Sequence, residues 1–238
     1  NFMHQTWYNA NNGGGVQLWH NTGARMARLD PAAQGIEGQR WTLSIGTADF
    51  NGDGWPDLYL ANDFGPDQLL INAKNGHWNK VEGPLVGTVG CDTYKGMNAS
   101  VADFDNNGKP DVYVSNVHHR LQAEGSLLWM NMGVDEQHPE RFTDQALSRN
   151  ALNEKRFGWG ATVGDIDRDG RMDILQANGM VDNAYEPEPL RSKACADYWY
   201  WNEKIALTAP EIHGYADRWA DLRGLCIFPD ELNRVYLN

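Results

Sequence analysis

Short apolar runs alternate with polar residues along most of the chain, and they recur in a fixed order. Three runs that end in asparagine, LYLAN, VYVSN and ILQAN, each follow a loop rich in aspartate and glycine. An apolar segment that contains small residues precedes each loop: TLSIGTA, GMNASVA and GWGATVG. Alternation with a period of two is typical of β-strands, so each loop is predicted to join the two strands of a hairpin.

A third strand-like segment follows each of these hairpins, and a fourth appears more loosely after the first two. The third strand is predicted in VQLWHN, DQLLIN, SLLWMN and NRVYLN, and the fourth in ARMARLD, GHWNKVEG and ERFTDQA. The acidic loops start at residues 49, 103 and 165, so the unit of four strands, A to D, repeats every 54 to 62 residues. A repeat of this length and strand content predicts the blades of a β-propeller.

The repeat predicts an all-β chain in which residues 1–238 form a single β-propeller region of about three and a half four-stranded blades. Closed propellers have about four to eight blades, so other chains or further residues are needed to close the ring. The last blade contains a long insertion between strands B and C, and its apolar spacing predicts a partly helical segment. The predicted units are 1–40 (outer half of a blade), 41–90 (blade), 91–157 (blade) and 158–238 (blade with insertion 180–230).

The overall charge restricts the classes of partner. The formal net charge is −12 and the pI is about 4.9, which argues against nucleic acid, because phosphate binding requires clustered Lys and Arg. No apolar run approaches the ~18 residues that a membrane span requires. A cation is therefore a better candidate ligand than an anion.

Each acidic loop has the form D-x-[DN]-x-[DN]-G-x-x-D, in DFNGDGWPD, DFDNNGKPD and DIDRDGRMD. Calcium takes six to eight oxygen ligands, and alternate residues of a tight loop direct their carboxylates to one point. Loop positions 1, 3, 5 and 9 are predicted to supply side chains, and position 7 a backbone carbonyl. The predicted ligands of three Ca²⁺ are Asp49, Asn51, Asp53, Trp55 and Asp57, then Asp103, Asp105, Asn107, Lys109 and Asp111, then Asp165, Asp167, Asp169, Arg171 and Asp173.

Other interpretations of the loops fit less well. An EF-hand requires a bidentate Glu at position 12 and flanking helices, whereas position 12 here is Leu60, Val114 or Gln176, inside a predicted strand. Plain acidic turns are the simpler alternative, but three loops in register with the same flanks argue against it. Because all side-chain ligands are hard oxygens, zinc and other transition metals are poor candidates. The third loop is expected to bind Ca²⁺ most tightly because Asp167 and Asp169 are both charged.

These motifs resemble FG-GAP/VCBS repeats, the calcium-binding blades of integrin α-subunit propellers and of many bacterial secreted proteins. More narrowly, NDFGPDQLLIN, GMNASVADFDNNGKPDVYVSN and GWGATVGDIDRDGRMDILQANG resemble the cartilage-acidic-protein-like, ASPIC/UnbV-associated branch. The resemblance implies a β-propeller, commonly seven-bladed, with Ca²⁺ in the hairpins between strands A and B. It also implies a location outside the cytoplasm (periplasmic, cell-surface or secreted) and a role in adhesion, recognition or assembly.

A second metal site is a further hypothesis, at the end of the blades opposite the acidic loops. His4, His118 and His119 are its candidate ligands, and the plainer interpretation is surface histidines in polar loops. In the insertion, Cys195 and Cys226 either form a disulfide or remain two free thiols.

The sequence favours a binding or structural module over an enzyme, because no catalytic constellation is recognised. Its expected partners are other protein subunits or the remainder of the propeller, contacted through the insertion and the connections between strands B and C. A redox or metal-dependent enzyme subunit with its site among the histidines is the alternative. A carbohydrate-binding lectin is a third possibility, compatible with the aromatic residues of the insertion.

Overall fold

The computed structural model describes residues 8–92, 95–119, 122–179 and 231–238. Within these ranges the chain forms β-strands and two short 3₁₀ helices, at Ala32–Gln34 and Pro139–Arg141, and no α-helix. None of the helices in the described ranges is long and apolar enough to cross a membrane. The predicted helices of the insertion and the pair Cys195 and Cys226 lie outside the described residues.

The strands form successive antiparallel sheets, named here blades 1 to 4. Blade 1 contains β1 (Leu18–Asn21) and β2 (Met26–Leu29). Blade 2 contains β3 (Trp41–Ala48), β4 (Asp57–Asp63), β5 (Gln68–Asn72) and β6 (Trp78–Val81). Blade 3 contains β7 (Asn98–Ala102), β8 (Asp111–Ser115), β11 (Leu127–Asn131) and β12 (Phe142–Asp144). Blade 4 contains β13 (Arg156–Gly164), β14 (Asp173–Asn178) and β15 (Arg234–Tyr236). The remaining strands are β9 (Val117–His119) and β10 (Gln122–Ala123).

The order of strands confirms the predicted fold, a partial β-propeller. Blades 2 and 3 each consist of four strands in the order A to D, and each strand pairs with the next. Blade 1 has only strands C and D, and blade 4 has strands A, B and C, within the described residues. The strands therefore follow the repeat predicted from the sequence, although β13 begins at Arg156, just before the predicted boundary at 158.

One pairing between blades is absent from the sequence prediction. The connection from strand B to strand C of blade 3 contains the hairpin β9–β10. Strand β9 pairs with β13, with Val117 opposite Phe157 and His118 opposite Arg156. The pairing extends the sheet of blade 4 and covers part of the edge of β13, whose backbone groups would otherwise lack partners. Strands this short carry too little alternation to be recognised from sequence.

The blades pack face to face, and the apolar core lies between them. Between blades 2 and 3 the core includes Tyr59, Leu69 and Trp129, and between blades 3 and 4 it includes Tyr113 and Leu128. The inner strands also approach closely, because a Cβ built on Gly46 would lie 2.8 Å from Val101 Cγ2. The glycine therefore lets strands A of blades 2 and 3 pack against each other.

A buried chain of hydrogen bonds links blades 2 and 3 within this core. Trp129 Nε1 donates to the Tyr59 hydroxyl at 2.8 Å, and that hydroxyl donates to Asp67 Oδ2 at 2.7 Å. The Trp129 ring stacks on Phe142 with 5.7 Å between centroids. Because a buried polar group without a partner is costly, these bonds fix the relative position of the two blades as well as their contact.

Candidate metal centres

The acidic loops are the tips of the hairpins between strands A and B, as predicted. In each hairpin the residue before loop position 1 pairs with loop position 9, which opens strand B. The pairs are Ala48 with Asp57, Ala102 with Asp111, and Gly164 with Asp173. Each position-9 carboxylate therefore lies at the base of its loop, on a strand that fixes its place.

The position-9 aspartate holds the base of each loop through two backbone N–H groups. One comes from loop position 2 and the other from the asparagine that follows or ends strand C. The donors are Phe50 and Asn72 to Asp57 (2.8 and 2.8 Å), Phe104 and Asn131 to Asp111 (2.8 and 2.6 Å), and Ile166 and Asn238 to Asp173 (2.8 and 3.0 Å). The three aspartates are at most 1% exposed, so these bonds are made in the interior.

The electrostatic settings of these three carboxylates differ. Burial raises the pKa of Asp111 to about 6, although its two N–H donors act in the opposite direction. Burial also raises the pKa of Asp57. The pKa of Asp173 is lowered, chiefly by the N–H groups of Asn238 and Ile166. A bound cation would relieve the cost of burying the negative charge of Asp57 and Asp111.

Backbone N–H groups also orient the carboxylate at loop position 1. In the second loop Asp103 accepts from the N–H of Asn107 at 3.1 Å and from that of Gly108 at 2.8 Å, and Asp105 accepts from Asn107 at 3.2 Å. The other loops repeat this pattern in Asp49, which accepts from Asp53 and Gly54 at 2.9 and 2.8 Å, and in Asp165, which accepts from Asp169 and Gly170 at 3.0 and 3.0 Å. The loop backbone therefore curls around its own carboxylates.

Two left-handed residues make this curl possible. The predicted glycine at position 6 has φ of 86°, 83° and 88° in Gly54, Gly108 and Gly170. Position 4 is also left-handed, with φ of 74° in Gly52, 56° in Asn106 and 63° in Arg168. Asparagine tolerates this region better than other residues with a Cβ, so Arg168 is the strained member of the set. The sequence motif does not reveal this second requirement, because position 4 varies.

Carboxylate oxygens converge in the second and third loops. One oxygen each from Asp103, Asp105 and Asp111 lies within 4.8 Å of the others, and the same holds for the set Asp165, Asp167 and Asp173. These sets consist of loop positions 1, 3 and 9, all hard oxygen donors at the spacing that a Ca²⁺ ion with ligands at 2.3–2.6 Å would bridge. The residues therefore fit the predicted ion.

The first loop differs because a cation and an amide already face it. Asn51 replaces the aspartate at position 3, and its Nδ2 donates to Asp53 Oδ2 at 3.0 Å. Lys74 Nζ lies 3.3 Å from the same oxygen. An ion in this loop would have to compete with the Lys74 ammonium, which the sequence motif alone does not show.

Loop position 5 has a second task in all three loops. Its side-chain oxygen accepts the N–H of position 7, from Trp55, Lys109 and Arg171 at 3.0, 2.8 and 2.9 Å. Asp53, Asn107 and Asp169 are therefore held inside their loops. Their coordination of an ion, and that of the carbonyls at position 7, remain predictions.

Neighbouring blades fasten the loops to one another. Asn131, at the end of strand C in blade 3, donates from Nδ2 to the Phe50 carbonyl in the first loop at 2.8 Å. Asn238 makes the same bond to the Phe104 carbonyl in the second loop. Asn106 Nδ2 also donates to the Gly170 carbonyl at 3.2 Å. The first and second loops are therefore each held by the following blade as well as by their own blade.

At the opposite end of the blades, His118 is the member of the predicted histidine cluster whose side chain the structure describes. Nδ1 of His118 accepts the Lys155 N–H at 3.0 Å, which ties this ring to the backbone. His4 and the side chain of His119 lie outside the described residues. Cys91 is a free thiol whose Sγ donates to the Gly83 carbonyl at 3.0 Å, and burial raises its pKa.

A cluster of buried ionisable residues also lies at this end of the blades. Lys95, with its side chain 2% exposed, forms an ion pair with Glu124 at 2.9 Å. Asp63 lies nearby, and burial raises its pKa to about 7 while Lys95 opposes that rise. Asp63 lies in the segment NDFGPDQLLIN, but Lys95 and Glu124 belong to no motif that was recognisable in the sequence.

The comparisons with known proteins confirm the resemblance on which these predictions rest. Residues 7–60 and 49–114 match the model of the FG-GAP-like repeat, so the chain contains FG-GAP-like repeats. It is similar to cartilage acidic protein 1 of Mus musculus, with 26% identity over 164 residues (68% of this chain, 25% of the relative), and of Homo sapiens, with 24% identity over 164 residues (68% and 24%). The Xenopus tropicalis protein of that name is 25% identical over 136 residues (57% and 20%). The chain thus spans about a quarter of the length of these relatives.

Proposed function

We propose that this FG-GAP repeat chain binds Ca²⁺ in its three hairpin loops and serves as a calcium-stabilised interaction module outside the cytoplasm. The observation that carries the proposal is the convergence of three carboxylates, at loop positions 1, 3 and 9, in both the second and the third loop. Hard oxygen donors in this arrangement suit Ca²⁺ better than zinc or another transition metal. The ion neutralises charge that burial and proximity would otherwise make costly.

The number of charges supports this role. The loops contain three, three and four aspartates, and three Ca²⁺ would change the formal net charge from −12 to −6. Two like charges at 4 Å repel by about 4 kcal/mol at an effective dielectric constant of 20. Binding of an ion to the folded chain alone adds roughly 2.7 kcal/mol of stability per site when its concentration is a hundred times Kd. Calcium is therefore proposed as part of the fold.

Repetition favours a scaffold over a catalytic site. The three loops share their hydrogen bonds to position 9 and their left-handed residues, and each sits at the same place in its blade. A reaction centre requires one asymmetric arrangement around its substrate, whereas an ion that stabilises a turn is useful in every repeat. The proposed role in adhesion or assembly therefore belongs to other surfaces, for which the insertion and the strand B to strand C connections are the candidates.

The proposed location is consistent with calcium sites of modest affinity. Extracellular modules bind Ca²⁺ with Kd of roughly 10⁻⁴ to 10⁻³ M, which is sufficient where the ion is abundant. Loops in which one position is a neutral Asn, such as Asn51 or Asn107, have fewer charges to hold the ion. The similarity to proteins named cartilage acidic protein 1 supports a location outside the cell for this chain.

Calorimetric titration of the chelator-treated chain with CaCl₂ tests the proposal. We expect three sites, one of which is weakened in Asp105→Asn and another in Asp167→Asn. Asn51→Asp is the matched control, because it gives the first loop the same position-3 carboxylate and should strengthen its site. The third loop is expected to bind most tightly. An absence of calcium binding would refute the proposal, whereas a weakest third loop would refute only the ranking.

A further inference from the structure

The chain contains five Asn–Gly pairs, and the structure separates them into two groups. In such a pair the backbone nitrogen of the glycine can attack the asparagine side chain, because a residue without a Cβ does not obstruct the approach. The attacking nitrogen must lose its proton, so a glycine N–H that already donates a hydrogen bond is held back from the reaction. The pairs begin at Asn12, Asn51, Asn75, Asn107 and Asn178.

Two of the pairs are held by backbone carbonyls of other segments. The N–H of Gly13 donates to the Gln39 carbonyl at 2.7 Å, and that of Gly179 donates to the Phe157 carbonyl at 3.0 Å. The asparagines that precede these glycines are therefore expected to be stable.

The other three pairs share one side-chain turn. In each of them the asparagine Oδ1 accepts the N–H of the residue two positions later, which folds the amide over the peptide bond that would attack it. These bonds join Asn51 to Asp53 at 3.1 Å, Asn75 to His77 at 3.0 Å, and Asn107 to Lys109 at 2.8 Å. The turn therefore brings the reacting groups together in all three pairs alike.

The glycine N–H distinguishes these three pairs. Gly108 donates to Asp103 Oδ2 at 2.8 Å, a bond to a charged acceptor. Among the described residues, neither Gly52 nor Gly76 donates a hydrogen bond from its backbone N–H. All three glycines are exposed to solvent, so access of water does not separate them. The second loop thus protects its Asn–Gly pair, whereas the first loop does not.

We propose that Asn51 is a site of spontaneous deamidation, which changes the chemistry of the first acidic loop. The Gly52 nitrogen loses its proton to hydroxide and attacks Cγ of Asn51. The new N–Cγ bond closes a succinimide ring, and the Cγ–Nδ2 bond breaks with release of ammonia. Water then opens the ring, and attack at Cγ gives aspartate whereas attack at the main-chain carbonyl gives isoaspartate. The reaction consumes one water and requires no oxidant, enzyme or cofactor.

The two products have opposite effects on the loop. Aspartate gives loop position 3 the carboxylate that Asp105 and Asp167 supply in the other loops. It also removes the Asn51 Nδ2 donor to Asp53 Oδ2 at 3.0 Å and leaves two carboxylates side by side, which a cation would bridge. The consequence for calcium rests on the proposed function, whereas the deamidation itself does not.

Isoaspartate disrupts the loop instead, because its main chain passes through Cβ and is one atom longer. The N–H groups of Asp53 and Gly54 donate to Asp49 at 2.9 and 2.8 Å. The added backbone atom between positions 3 and 4 displaces both donors from that carboxylate. The first loop should therefore bind calcium more tightly after conversion to aspartate and less tightly after conversion to isoaspartate.

Peptide mapping of the aged chain tests the proposal directly. The folded chain is incubated with chelator in mildly alkaline buffer and digested, and deamidation at all five pairs is measured by mass spectrometry. We expect Asn51 and Asn75 to react roughly ten-fold or more faster than Asn107, because the charged acceptor holds the Gly108 N–H. In urea the difference should largely disappear. A rate at Asn51 that does not exceed the rate at Asn107 in the folded chain would overturn the proposal.

Two variants sharpen this measurement. Asn51→Gln should abolish deamidation in the first loop and leave the rate at Asn75 unchanged. Asp103→Ala removes the acceptor of the Gly108 N–H, so Asn107 should then react as fast as Asn51. If Asp103→Ala unfolds the chain, reaction at the held pairs of Gly13 and Gly179 reveals it, and the comparison within the parent chain still decides.

A calcium arm separates this proposal from the proposed function. Excess CaCl₂ should slow deamidation at Asn51 by holding its side chain, and Asn75, in the turn between β5 and β6, should be unaffected. Equal rates at Asn51 with and without calcium would contradict an ion in the first loop but not the deamidation. An unreactive Asn51 in chelator would refute the deamidation and leave calcium binding to the calorimetric test. Enzymatic methylation of isoaspartate measures the share of the two products.

Discussion

The two ends of the blades differ in how closely their residues and hydrogen bonds repeat from one blade to the next. At the loop end, the same N–H donors, left-handed positions and buried aspartate recur in blades 2, 3 and 4. At the opposite end, the backbone N–H at the last asparagine of strand B is capped by three chemically different side chains. The N–H of Asn62 donates to Asp67 Oδ1 at 2.7 Å, that of Asn116 to Ser126 Oγ at 3.3 Å, and that of Asn178 to Asn233 Oδ1 at 2.9 Å.

The difference follows from what each end must satisfy. A loop that curls around an ion needs carboxylates and left-handed residues at fixed positions, so few sequences satisfy it. A single strand-end N–H needs only one acceptor, and a carboxylate, a hydroxyl or an amide will serve. The opposite end is thus free to vary, and the β9–β10 hairpin and the long insertion both occur there. Variation of this kind suits a binding surface on a rigid scaffold.

The largest expected effect lies at the loop end. Asp111→Ala removes the acceptor of two buried N–H groups, and each unsatisfied group costs about 1–3 kcal/mol, so we expect a loss of about 2–6 kcal/mol in the free energy of unfolding. Urea unfolding in excess Ca²⁺ measures it. Asp135→Ala is the control, because Asp135 also accepts two N–H groups, at 2.8 and 2.8 Å, but near solvent. Equal losses in the two variants would contradict the special role of position 9.

The opposite end should show a dependence of stability on pH that reaches about pH 7, above the range expected from Asp111 at the loop end. Burial raises the pKa of Asp63 to about 7, Glu124 adds to the rise, and Lys95 and the Phe64 N–H oppose it. Among the described residues, Asp63 Oδ1 has no hydrogen-bond partner and is inaccessible to solvent. Because the folded-state pKa of Asp63 exceeds the unfolded value of about 3.9, the contribution of this group to stability is greatest below pH 4 and falls as the pH rises to 7.

Replacing Asp63 tests the direction of this pH dependence. We expect Asp63→Asn to gain about 1–3 kcal/mol relative to the parent on going from pH 5 to pH 8, by removing a buried charge. Chemical unfolding at both pH values in calcium-containing buffer measures the difference. The corresponding residues in blades 3 and 4 are Val117 and Gly179, which do not titrate. An identical pH profile for the parent and Asp63→Asn would show that the group does not titrate in this range.

A smaller effect is expected in the calcium affinity of the first loop, which differs from the other two loops. Lys74 Nζ lies 3.3 Å from Asp53 Oδ2, with the Lys74 side chain 48% exposed, so solvent weakens the pair. We expect Lys74→Gln to tighten calcium binding at the first loop by roughly two- to five-fold, since the competing cation is removed. Competition with a chromophoric chelator measures the change. Lys80→Gln, which breaks the pair between Lys80 on β6 and Glu82, should leave all three affinities unchanged.

A comparably small effect is expected from backbone strain in the third loop. Arg168 has a φ of 63° where the first loop has Gly52. Arg168→Gly should raise the free energy of unfolding by about 0.5–1 kcal/mol, because glycine adopts this conformation without steric cost. Arg171→Gly is the control: Arg171 is not among the left-handed residues of the loop, so the added freedom of the unfolded chain should destabilise it. A loss in Arg168→Gly would show that the side chain does more than occupy the position.

The sequence by itself determined the blade order, the hairpins and the predicted calcium loops. Strands A and B and their loop lie close together in the chain, so alternation, aspartate spacing and the position-6 glycine are local signals that survive without a structure. The same signals fixed Asp57, Asp111 and Asp173 at the junction of loop and strand. They also excluded an EF-hand, because position 12 falls inside a strand.

Only the tertiary structure decided how distant segments meet. The pairing of Val117 with Phe157, the bond from Asn131 to Phe50 and the contact of Lys74 with Asp53 depend on how the chain returns to its own surface. Among the described residues of blade 4, the exposure of Leu175, Val235 and Leu237 could not be read from composition, because they are as apolar as the buried residues at the same positions of the preceding blades. Exposure is a property of what lies against a residue, and no pattern along the chain specifies its neighbour in space.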